Sequence, residues 1–106
     1  MAKYLYTGSY TQTGIKGVIA EGGTSRRDAV SKLAQSVGGS VESFYWAFGD
    51  DDFHLIVDLP SPEAAAMIAM TVGASGGANI RTTVLLTAEQ VDAASKLSPS
   101  YRAPGS

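Results

Sequence analysis

The chain contains no cysteine. Disulfides, thiolate nucleophiles and thiolate metal sites are excluded together, and a reducing, cytoplasmic setting is the expectation. Histidine is almost as scarce. His54 is the single imidazole, so no His pair at i, i+4 exists and no zinc site is expected. Positive charge is also thin: eight Lys and Arg stand against ten Asp and Glu, for a formal charge of -2. Only Arg26 and Arg27 are adjacent, too little cationic surface to track phosphates, so nucleic acid is not an expected partner. The start MAKYLYTGSY alternates polar and apolar residues and lacks the continuous apolar run of a signal peptide or membrane span. No membrane partner is expected, and the mature chain is expected to begin where the sequence does. Thr7, Ser9 and Ser43 offer hydroxyls outside any nucleophile motif. The GASGGAN stretch has no strand–Gly–helix context, which excludes a phosphate cradle and a nucleotide cofactor.

What remains is a chain of 106 residues, 44% hydrophobic, sized for one core. The reading is one domain over residues 1–98 and a flexible tail over 99–106. Period-two patterning predicts a strand over Lys3–Thr11. TGIKGVIAEGG, with three glycines in its first ten residues, reads as a connector of one or two helical turns after a Thr13 cap. Val30, Leu33, Ala34 and Val37 mark a helix opened by Ser25-x-x-Asp28 and closed at Gly38. SVESFYWAFG and DFHLIVDLP form a hairpin, and Ser61-Pro62-Glu63 starts a helix whose buried stripe includes Ala64, Met67, Ile68 and Val72. IRTTVLLT is a last strand, followed by a short helix with a Thr87-x-x-Gln90 capping box.

This order predicts an α+β, ferredoxin-like βαββαβ fold with a short C-terminal helix, in which helices cover one face of an antiparallel sheet. Strand alternation sends Phe53, Leu55 and Val57 to the helices and Asp52, His54, Ile56 and Asp58 to the open face. A three-residue loop, Gly49 to Asp51, would place Phe44, Trp46 and Phe48 opposite Ile56, His54 and Asp52. Tyr4, Tyr6 and Tyr10 are expected on that same face. So aromatic a surface needs a cover, and the expected one is a second copy, forming a dimeric α/β barrel with room for a small ligand.

YLYTGSYT, GGSVESFYWAFGDDDFHLIVDLP and IRTTVLLT together resemble the GYD-domain family, over Tyr4 to about Ala94. The family's Gly-x-Tyr-Asp turn is matched by Gly49 and Asp52, with Asp51 at the Tyr position. The resemblance implies a dimeric α/β barrel. By fold it also implies kinship with effector-sensing domains and with cofactor-independent monooxygenases and isomerases.

Two functions follow as expectations. The first is a homodimeric module binding a small hydrophobic or aromatic ligand, or serving in interactions, with Tyr6, Tyr10, Phe44, Trp46, His54 and Arg81 as ligand-binding candidates. The second is a cofactor-independent enzyme acting on a small aromatic or carbonyl compound, with His54 as acid or base oriented by Asp52. Each residue also has a plainer use. Gly49 and Asp52 suit a turn with positive φ at the glycine, the tyrosines suit strands, His54 suits an interface, and Arg81 suits a salt bridge to Asp58.

Overall fold

A computed structural model describes residues 1–106. The elements run β1 (Ala2–Tyr10), α1 (Gln12–Glu21), α2 (Gly23–Ser36), β2 (Ser40–Trp46), β3 (Phe53–Leu59), α3 (Pro62–Ala74), β4 (Ala78–Leu85) and α4 (Ala88–Ser95). The fold is mixed α+β with one four-stranded antiparallel sheet of order β2-β3-β1-β4, consistent with a ferredoxin-like arrangement.

The expected connector after β1 is a full helix of ten residues, capped by Thr11 rather than Thr13. The Thr11 hydroxyl accepts from the Gly14 N–H at 3.1 Å and donates to the Gly76 carbonyl at 2.8 Å, so one side chain caps α1 and ties it to the start of β4. Glycine at position 14 permits this approach, because a Cβ there would overlap the Gly77 carbonyl. Tertiary contact thus outweighs the poor helix propensity of the glycines. α1 turns directly into α2 at Gly22, whose φ of 85° favours glycine, and no side chain caps α2, so the Ser25 cap is corrected. The other helix starts are as expected. Ser61 accepts from the Ala64 N–H, and Thr87 with Gln90 forms the complete capping box.

The sheet register differs from expectation in a way that matters. In β3, Phe53, Leu55, Val57 and Leu59 are buried beneath the helices, as alternation predicts. However, the β2–β3 connection spans Ala47 to Asp52, closed by Ala47 N–H to the Asp52 carbonyl, and β2 carries a bulge between Val41 and Ser43. Trp46 therefore pairs with Phe53 and Phe44 with Leu55, which moves both aromatics to the helix side. Tyr45 takes the place opposite His54. Tyr4 and Tyr6 pair with Val57 and Leu55, so they too face the helices, and both are buried. The tyrosine rings supply volume that Leu5 and Thr7 would not, and the Tyr6 hydroxyl donates to the Ala65 carbonyl of α3 at 2.7 Å.

α4 is exposed along its length and, with the residues after it, stretches the molecule to 57 × 32 × 22 Å. The radius of gyration is 16.9 Å. About 13 Å is usual for a compact chain of this size. No helix is long and apolar enough to cross a membrane.

Candidate functional site

The sequence-predicted ligand residues are divided by the sheet. Tyr6, Tyr10 and Phe44 line a cavity on the helix side, and Trp46 lines an adjoining apolar groove with Val18, Gly23 and Phe48. His54 and Arg81 lie on the open face. There Tyr45, His54, Thr7 and Arg81 stand opposite one another as a single row across all four strands. The aromatic open face expected from sequence is thus reduced to Tyr45, which is 71% exposed, beside the half-buried aliphatics Leu5, Ile56 and Leu85.

The cavity measures about 320 Å³ and lies between the sheet, α1, α2 and α3. An engineered cavity of about 150 Å³ takes up benzene, so this space suits a larger, two-ring molecule. Its walls are chiefly apolar: Phe53, Leu55 and Val57 from β3, Val30 and Leu33 from α2, and Ile68 from α3. α1 forms the roof through Gly14, Gly17 and Val18 and buries none of its own residues. So lightly packed a roof belongs to the low-stability end of the domain, where local opening costs little.

Most polar groups in the lining are already engaged. Tyr6 donates to Ala65, Thr71 to the Met67 carbonyl and Ser75 to the Val72 carbonyl. Tyr10 is different. Its hydroxyl accepts from the Trp46 indole N–H at 2.9 Å, while no protein group accepts its own proton. Burial pushes the Tyr10 pKa up, and the Trp46 hydrogen bond partly opposes that shift. The ring is fixed against Phe53 at 5.1 Å between centroids. Phe44 in turn stacks on Trp46 at 4.2 Å. Glu21 and Arg26, from the adjoining ends of α1 and α2, complete the lining with an ion pair at 3.4 Å. In the sequence Arg26 stands out only as half of an adjacent Arg pair; the Gly22-Gly23 break between Glu21 and Arg26 is the signal that the two helices turn toward each other.

The acidic turn binds the β1–β4 end of the sheet. The Asp52 carboxylate accepts from the Tyr10 N–H at 2.9 Å, and the Asp52 N–H donates to the Gly8 carbonyl at 2.7 Å. Asp52 is therefore engaged by β1 and does not orient His54. Gly49 lacks the expected positive φ, which falls instead on Phe48 at 53°. Arg81 pairs with Asp51, not with Asp58, whose partner is Lys3 at 3.0 Å. The Lys3 pKa is raised by its hydrogen bonds to Asp58 and Glu42. No three His, Cys, Asp or Glu side chains converge.

A turn latched in this manner between two strands of an antiparallel sheet is the setting of the Gly49 and Asp52 motif positions, and the GYD-domain family model matches residues 4–95. The chain belongs to the GYD-domain family. In this GYD domain the motif's third position, Asp51, faces Arg81 with its side chain 19% exposed, so it is an ion-pair partner and not a solvated loop tip. No match was found among curated proteins or among solved structures.

Proposed function

We propose that this GYD domain binds a small hydrophobic or aromatic ligand in the cavity between its sheet and helices. The observation that carries the reading is the partly open, chiefly apolar cavity of about 320 Å³ under a helix that buries none of its residues. Filling it would remove apolar ligand surface from water at about 25 cal/mol per Å² while leaving the helix backbone intact. The chain has a single Trp, whose indole N–H donates to Tyr10 in the cavity lining, so one resonance reports on that wall through the hydrogen bond. Titration with 2-ethylnaphthalene should shift that resonance saturably and raise the thermal midpoint; no shift at the solubility limit would refute the reading.

The reading includes a homodimer formed through the open face, giving a dimeric barrel. Leu5, Ile56, Leu85 and the exposed Tyr45 support it, framed by the Lys3–Asp58 and Arg81–Asp51 pairs. Sedimentation should give a dimer that Ile56→Asp splits into folded monomers; a monomeric wild type would refute it. His54 lies across the sheet from the cavity. An acid–base role for it would concern a ligand held between subunits, not the cavity's occupant.

A further inference from the structure

We infer that the cavity selects a neutral apolar ligand carrying one hydrogen-bond-accepting oxygen, an aryl ketone, aldehyde or quinone, which accepts from the Tyr10 hydroxyl. The inference rests on the cavity being a ligand site and adds to it the chemistry of the occupant. Two hydroxyls of the lining have no acceptor in the chain, those of Thr13 and Tyr10; Thr13 is exposed to water, so Tyr10 is the half-buried donor whose proton is left over. Its oxygen is taken by the Trp46 N–H, which fixes the ring and directs the remaining donor elsewhere. The neighbouring hydroxyls of Tyr6, Thr71 and Ser75 are spent on carbonyls of the chain itself. A donor in an apolar cavity gains most from an acceptor, because water competes poorly for it there.

Charge at the mouth decides between a neutral and an anionic acceptor. Arg26 would attract a carboxylate, but its guanidinium already meets Glu21 at 3.4 Å, and the two charges cancel as seen from inside the cavity. An entering anion would have to displace Glu21 or remain beside it, and would lose its hydration among apolar walls. A ketone meets neither penalty. It also leaves the Tyr10 phenol in the donor form that burial favours.

The test is a size-matched set of probes: 2-ethylnaphthalene, 2-acetylnaphthalene and 2-naphthoate, titrated at neutral pH by calorimetry and by the Trp46 indole N–H shift. 2-Acetylnaphthalene should bind roughly fivefold more tightly than 2-ethylnaphthalene, the increment of one net hydrogen bond, and 2-naphthoate should bind least. Tyr10→Phe should abolish the ketone preference while 2-ethylnaphthalene affinity stays within about twofold, since one hydroxyl is removed and the ring retained. Glu21→Gln should improve 2-naphthoate binding by freeing Arg26. Binding of 2-ethylnaphthalene with no ketone preference, or with 2-naphthoate tightest, would overturn the inference and leave the cavity reading standing. Failure of all three probes would overturn both. If Tyr10→Phe does not fold, the wild-type ranking of the three probes decides.

Discussion

The indole N–H of Trp46 donates to the hydroxyl of Tyr10 at 2.9 Å, joining the last residue of β2 to the last residue of β1 across the intervening strand β3. The bond requires both aromatics on the helix side of the sheet, and it holds the cavity wall at the edge where the helices leave it open. A double-mutant cycle of Trp46→Phe and Tyr10→Phe should give a coupling of about 0.5–1.5 kcal/mol in denaturant unfolding. Strict additivity would mean that the bond contributes nothing in solution.

Two glycines should differ in their response to alanine. Gly14 seats α1 against the Gly77 backbone, so Gly14→Ala should cost about 1–3 kcal/mol by overpacking and weaken 2-ethylnaphthalene binding as the roof shifts. Gly49 faces open space at an ordinary φ, so Gly49→Ala should stay within about 0.5 kcal/mol of wild type. Equal losses at the two positions would contradict this assignment of the roof.

Asp52 should matter through its acceptor and not its charge. Asp52→Ala removes the partner of the Tyr10 N–H and should cost about 1–2 kcal/mol, most of which Asp52→Asn should restore through its amide oxygen. Asp51→Asn, which loses only an ion pair to the well-exposed Arg81, should fall within about 0.5 kcal/mol of wild type. The ranking is read from chemical denaturation midpoints.

Alkaline pH should destabilise the fold through Tyr6. Burial pushes its pKa from 10.0 up to about 12, so the folded state favours the phenol. This contribution is fully present below pH 10 and is lost as pH rises from there through about 12. Tyr6→Phe should flatten that loss in thermal melts at pH 8 to 11, where a single titrating proton can give a slope of at most roughly 1.4 kcal/mol per pH unit. Tyr10, raised in the same direction, should account for part of any remaining slope.

The local code of the chain was sufficient for the order of the elements other than α1. Ser61-Pro62-Glu63 and Thr87 with Gln90 start helices because a short side chain satisfies backbone donors within one turn, a relation that spans only three residues. Phe53, Leu55 and Val57 faced the helices as their alternation required, since no other pleat buries all three. The family too was legible in the strand segments and the Gly49 to Asp52 turn. Where Phe44, Trp46 and the N-terminal tyrosines point was decided only in three dimensions. The longer β2–β3 loop changes the pairing by a single residue, which inverts the faces of Ser43 to Trp46, and the bulge between Val41 and Ser43 returns Val41 to the helix side. β1 puts Tyr4, Tyr6 and Gly8 on one face and Leu5, Thr7 and Ser9 on the other, neither uniformly aliphatic, so its register with β3 and the reach of Tyr6 to α3 select the buried side. The roof helix depended on tertiary contact for the same reason: Gly14 and Gly17 disfavour a helix locally, and the approach to Gly77 that makes Gly14 useful joins segments more than sixty residues apart. Local hydrogen bonds are written in neighbouring residues, whereas faces and cavities depend on which distant backbone a segment meets.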